Sequence, residues 1–308
     1  MKFRLNPLVK KDLQVTVRSM RFSWGLFAYE MILTLAFILA LTIIQAESSS
    51  YYSNNIYSYL IYLFPVLAIA QVGIVTLIVP ILTAASISGE KERQTYDIMM
   101  TTCMSPFAIV FGKVASAVIR ILFFVLASTP IMALAFVVGG LSWLDLFTFI
   151  LTIIMLAFFT GSIGIFCSAV CRKAIAAVIL SFVFYFVIFG GSFIPALIHV
   201  LLSYSTLGVD FWGESIVFWL FNPVIFYEEY FMQIMTGESL MNQASFDMDE
   251  VGPLTYLLTQ GKVWMFVSAA CIILLSFAFM AAAAWKVNPL HSSGGKKPGK
   301  KNKKDNYT

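Results

Sequence analysis

Cysteines, paired carboxylates and one glycine-lysine run are the residues of this 308-residue chain whose types and spacing suit chemistry, and most of them lack a companion. Cys167 and Cys171 share a helix face at i, i+4 and offer two thiolates to a metal, yet neither His199 nor His291 has a matching spacing. Packing as small hydrophobes is the reading that their apolar neighbours favour. Gly294 to Lys301 reads GGKKPGKK, the G-x-x-x-x-G-K part of a phosphate-binding loop. Lys301 stands where Ser or Thr would hold magnesium, Pro298 interrupts the loop, and no strand precedes it, so the chain is expected to have no nucleotide site. Asp247-Met248-Asp249-Glu250 is too short for a calcium loop and lacks its glycine. No catalytic residue and no metal-ligand set is assigned.

Two ionisable residues remain, Glu30 and Arg120, because they lie deep in apolar runs where a charge is costly and functional by default. Counting about 1.5 Å per residue from Arg21 and Lys113 puts each roughly 10–14 Å from the cytoplasmic edge. The readings open to them are a mutual salt bridge, separate partners or snorkelling, and contact with a substrate.

What must position these residues is a membrane bundle. Composition is 60% hydrophobic and 12% charged, with a mean hydropathy of +0.87, far from the roughly 25% charged residues of soluble domains. Six runs, about 23–45, 59–85, 107–138, 143–170, 174–200 and 263–286, are each long enough to cross a hydrocarbon core of about 30 Å. The first is too long for the apolar region of a cleaved signal and carries Glu30, so it is expected to remain as a span.

The connections are divided by charge. Lys and Arg collect before the first run, between the second and third, between the fourth and fifth, and after the sixth, whereas the alternate connections hold ten acidic residues against Lys262. The positive-inside rule puts both termini in the cytoplasm. The predicted fold is therefore an all-α, polytopic bundle of about six transmembrane helices. Asn6 and Pro7 can open a further helix, whose Val9, Leu13, Val17 and Met20 share a face opposite Lys10, Lys11 and Arg18, as expected of an amphipathic helix on the inner leaflet. Residues 1–288 form one transmembrane domain on this reading. The Lys-rich tail 289–308 has too little apolar surface to order itself.

The most informative stretch joins the second and third runs, from Ser88 to Pro106 and on to Gly112-Lys113. Ser88 or Gly89 reads as an N-cap, Glu90 and Glu92 suit the positive end of a helix dipole, and Pro106 marks a stop. Tyr96, Met99, Met100 and Cys103 recur at i, i+3, i+4 and i+7, giving an apolar stripe beside Glu90, Lys91, Glu92 and Arg93. A short cytoplasmic helix over about 89–103, suited to docking in a partner's groove, is expected. Here the chain resembles the type-2 permease subunits of ATP-binding-cassette exporters, which carry E-x-E-x-G-T, a hydrophobic turn, a Ser/Thr-Pro region and Gly-Lys opening the third span. Glu90, Glu92, Thr95, Pro106, Gly112 and Lys113 match, and Gln94 replaces the usual Gly. The resemblance extends to the whole layout.

It implies that the segment with Glu90, Lys91, Glu92, Arg93, Thr95, Tyr96, Met99 and Met100 is a coupling helix seated in a separate ATPase subunit. It further implies that ATP and magnesium belong to that partner, that a second permease copy completes a homo- or heterodimer, and that the site of action is a bacterial plasma membrane. This chain binds no cofactor and no nucleic acid on that reading. Gly161, Gly164 and Ser168, with Ala157, give the fourth run a stripe of small residues for close helix approach, within the bundle or between copies. Gly190, Gly191 and Pro195 are expected to break the fifth run near its outer end. The acidic and aromatic segment from about 203 to 262 is expected to lie partly in the external interface. Two rival classes stand beside it: a non-transporting membrane anchor or immunity component, in which a coupling helix is superfluous, and an intramembrane protease-like enzyme using Glu228 and Glu229. For the second, Gln233 stands where an Arg is needed and the histidines are poorly placed.

Overall fold

Helix starts follow their capping residues. Ser105 accepts a bond from Ala108 N at 3.3 Å with Pro106 behind it, Ser142 and Asp145 form a reciprocal capping box, and Asn222 accepts from Val224 N at 2.8 Å with Pro223 following. The computed structural model describes residues 18–50, 60–96, 105–140, 142–194, 197–198, 218–239 and 262–287. The described helices, in chain order, are α1 Met20–Ser50, α2 Leu63–Glu92, α3 Pro106–Gly139, α4 Trp143–Val170, α5 Ala174–Gly191, α6 Pro223–Thr236 and α7 Lys262–Val287. All but α6 are long and apolar enough to cross a membrane, six spans as expected from the sequence. The N-terminal helix around Asn6, residues 97–104 and the Lys-rich tail lie outside the described residues.

The bundle is built around α4, which packs against α2, α3, α5 and α7. Its most apolar stretch is 72% buried within the chain, against 17% for α1 and α5. Small residues make the central place possible, since Gly161 meets Val79 and Val114 side chains, while Gly164 lies directly against Thr83 and the backbone of Ala84. The expected close approach is thus one of α4 to α2 and α3 inside the chain. Hydroxyls within the spans are satisfied locally: Thr34, Thr76, Ser116 and Ser276 each donate to the carbonyl four residues earlier. Across helices, Tyr29 Oη donates to Ser128 Oγ at 3.2 Å and Gln71 Nε2 to the same oxygen at 3.3 Å, a polar tie of α1, α2 and α3.

That tie sets the register of α1 on α3. Phe22 and Tyr29 both pack edge-on against Phe124, each at 5.3 Å, and Tyr29 reaches Ser128, so the two helices run side by side in the same direction. Tyr29 lies nine residues into α1 but Ser128 lies 22 residues into α3, so α3 begins about 20 Å further toward the cytoplasm. Depth counted separately in each helix, from Arg21 and from Lys113, therefore misleads. Glu30 is level with about Thr129, and Arg120 lies nine residues below it, about 13 Å. Arg120 Nε donates to Ser116 O at 3.1 Å, so its side chain runs back toward the helix start, away from Glu30. The two do not form an ion pair. Glu30 Oε1 is buried without a hydrogen-bond partner.

α5 stops at Gly191, short of the expected span end at 200, and Pro195 lies outside the described residues. The carbonyls freed at its end are taken up by the next segment: Trp219 Nε1 donates to Ser192 O at 3.2 Å and Asn222 Nδ2 to Phe189 O at 3.1 Å. The described aromatic residues that follow divide between the surface, where Phe218 and Phe221 are exposed, and the bundle. Phe226, Tyr227, Tyr230 and Phe231 are buried against the bundle, and Tyr230 Oη donates to Asp145 O at 3.0 Å and contacts Thr148 Oγ1 at 3.0 Å. Burial raises the Tyr230 phenol above its ordinary pKa, so it stays a donor.

Candidate functional site at the cytoplasmic helix ends

α2 closes in a Schellman motif, with Gln94 N donating to Lys91 O at 3.2 Å and Thr95 N to Glu90 O at 3.0 Å. Such a cap needs one left-handed residue, and Gln94 supplies it at φ 58°. This explains why the resembled motif has glycine at that position: the slot favours a residue without Cβ. It also corrects the sequence reading. Ser88 and Gly89 do not cap a new helix, because residues 88–92 are the last turns of α2. The next helical residue described is Tyr96, and Met99 and Met100 lie outside the described residues.

From this cap, successive side chains reach different helices. Glu90 Oε1 accepts from Lys113 Nζ of α3 at 2.7 Å in a partly buried ion pair. Lys91 Nζ reaches the last carbonyls of α4, donating to Ala169 O at 2.5 Å and approaching Ser168 O and Cys171 O at 3.5 and 3.4 Å. Glu92 Oε2 accepts from Ala174 N, the first residue of α5, at 3.2 Å. Tyr96 Oη donates to Val287 O, the last residue of α7, at 3.1 Å, and its ring lies 5.6 Å from Lys91 Nζ. Charge and dipole agree at each helix end: the ammonium sits at the negative end of α4 and the carboxylate at the positive end of α5. Glu92 does serve a helix N-terminus, as its position beside Gly89 suggested, but that of α5 rather than its own.

One turn deeper, Ser168 joins α4 to α2. Its Oγ accepts from Ile87 N at 2.9 Å and Ser88 N at 2.8 Å, while Thr83 O and Ala84 O accept the hydroxyls of Ser86 and Ser88. A side chain inserted at a helix ladder is one of the recognised causes of a bend. Ser168 was expected only as a small packing residue, and its hydrogen-bonding role had no sequence signal beyond its spacing. Beside this junction is a cytoplasmic cleft of about 810 Å³, lined by Ala85, Ser86, Gly89, Glu90, Glu92, Arg93, Thr95 and Ala174. Arg93, Gln94 and Thr95 are exposed there.

Of the residues singled out in the sequence, the structure gathers Glu90, Lys91, Glu92, Thr95, Tyr96 and Ser168 into one junction, with Arg93 at its rim. Glu30 and Arg120 stand apart from it and from each other. Glu229 is buried and accepts from Gln233 Nε2 at 3.0 Å, so the residue in place of the protease arginine is itself a partner of the carboxylate. Lys113 was noted as part of the Gly-Lys pair but not as a partner of Glu90. The arrangement holds no catalytic constellation. Residues 90–96 end α2 and make polar contacts with α3, α4, α5 and α7.

A protein-family model described as ABC-2 family transporter protein matches residues 7–286. No curated protein matches the chain.

Proposed function

The chain belongs to the ABC-2 transporter family and is a membrane-embedded transport subunit, and on that premise we propose that it is the permease of an ATP-driven exporter, coupled to a separate ATPase through the segment that begins at Thr95. ATP and magnesium belong to the ATPase. A second permease copy, identical or homologous, completes the path, and the assembly works in a bacterial plasma membrane. The observation that supports coupling at this place is the convergence of helix ends on residues 90–96: the junction ties the exposed segment to α3, α4, α5 and α7 by short polar contacts. A push delivered to an ordinary loop would be lost in that loop's own flexibility. Delivered here, it reaches most of the bundle, because packed helices shift as units rather than deforming continuously.

The test is co-purification of the full-length permease with its ATPase, combined with ATP-dependent transport in vesicles. Arg93→Glu, which reverses an exposed charge at the rim of the cleft, is expected to lower ATPase recovery and transport at least tenfold while the permease keeps its thermal stability. Transport by the permease alone, or full ATPase recovery and transport with Arg93→Glu, would overturn the proposal.

A further inference from the structure

Toward the external end of the bundle, α2 and α6 face each other across a crevice of about 380 Å³. Pro65, Ile69, Val72 and Thr76 of α2 recur at i, i+4, i+7 and i+11, so the crevice follows one stripe of that helix for about 16 Å. Opposite stand Tyr227, Phe231 and Met232 of α6, with Phe189 of α5 also on the lining. Among the lining residues Glu228 is the charged one, and it stands partway along α6 rather than at either end. Tyr227 is 4% exposed. Its hydroxyl lies toward Thr152 of α4, whose own hydroxyl donates to Phe149 O at 2.8 Å and keeps lone pairs free to accept. An apolar slot of this size, with aromatic walls and one exposed carboxylate on its lining, has the build of a ligand site rather than of a packing defect.

We propose that this crevice binds a lipophilic organic cation. Rings or alkyl groups fill the slot on both sides of Glu228, the carboxylate supplies the counter-charge, and the faces of Tyr227 and Phe231 supply cation-π attraction. Met232 and Met235, unbranched and polarisable, let the wall adapt to different outlines. An anion of the same shape meets the same walls and the wrong charge. The inference names a ligand class for the transport path and rests on the exporter reading only for the step from binding to transport.

The experiment measures saturable binding of tetraphenylphosphonium and of tetraphenylborate, matched in shape and opposite in charge, to the purified full-length permease without its ATPase, after subtraction of empty micelles. The cation is expected to bind at least tenfold more tightly than the anion. Glu228→Gln should weaken cation binding at least tenfold and leave the anion unchanged. Met232→Trp and, from the opposite wall, Val72→Trp should each remove the site, in protein whose melting is checked in parallel. Equal binding of the two ions by the unsubstituted protein, or cation binding unchanged by Glu228→Gln and by both tryptophans, would overturn the proposal. Because no ATPase is present, failure here leaves the coupling reading standing, and loss of coupling with Arg93→Glu leaves this site standing.

Discussion

Replacing Gly164 by alanine tests the central packing of the bundle most directly. An added methyl would overlap Thr83 Oγ1 outright and would stand 3.2 Å from Thr83 Cβ and 3.3 Å from Ala84 N. The hydroxyl could rotate away only by giving up its 2.9 Å bond to Val79 O, and the backbone nitrogen cannot rotate at all. Overpacking of this kind costs about 1–3 kcal/mol, and a partly backbone obstruction belongs in the upper half, about 2–3 kcal/mol. Gly161→Ala is the internal control, because its nearest neighbour is a Val114 methyl at 3.4 Å, an ordinary contact, and its cost should stay below about 1 kcal/mol. Thr83→Ala removes the hydroxyl in the way and leaves Cβ where it is. The double variant Thr83→Ala, Gly164→Ala should therefore be more stable than the sum of the single variants by about 1–2 kcal/mol. Equilibrium unfolding in mixed micelles, run as a double-mutant cycle, reads all of these. A Gly161→Ala penalty equal to or above that of Gly164→Ala, or strict additivity in the cycle, would refute the close approach of α2 and α4.

Two further outcomes follow from the junction. Gln94→Gly, which removes the Cβ from the left-handed cap at φ 58°, should stabilise the chain by about 1 kcal/mol, and Gln94→Val should destabilise it by at least as much, both read by the same unfolding assay. Breaking the Glu90–Lys113 pair with Glu90→Gln or Lys113→Gln should cost about 1–3 kcal/mol, since each leaves a partly buried charge behind. The exchanged pair Glu90→Lys, Lys113→Glu should recover part of the loss, and additivity of the two exchanges in the cycle would show that the residues do not interact.

The particular residues show where reading from sequence ends. The stripe Gly161, Gly164, Ser168 announced a close approach, and the acidic-basic cluster at residues 90–93 announced a junction, because small size and charge are properties of single residues in an apolar chain. The cluster's partners had no such signal. Lys91 bonds carbonyls about 78 residues away and Tyr96 one 191 residues away, and carbonyls are the same in every residue. The direction of the helix at Glu90 is hidden for a related reason: Ser-Gly-Glu fits an N-terminus locally, while the helix built by the apolar run continues through these polar residues for about two more turns. Glu30 and Arg120 come out at similar depth when each is counted from the basic residue before it, Arg21 and Lys113, and the offset of α1 on α3 is invisible until Tyr29 meets Phe124 and Ser128.

What the sequence determined by itself was the solvent and the count: a chain this apolar must cross a bilayer, about 20 residues are needed for each crossing, and the bias of Lys and Arg orients the set. What only the tertiary structure decided was which helices stand level with which, and therefore which charges meet, which helix ends share a cap, and where a crevice is left between α2 and α6. The reason is physical. Hydrophobicity is additive along a chain and can be summed from residues, whereas register is a property of pairs of helices, set by a few contacts such as Gly164 on Thr83 and Tyr29 on Ser128 that exist only after both helices are in place.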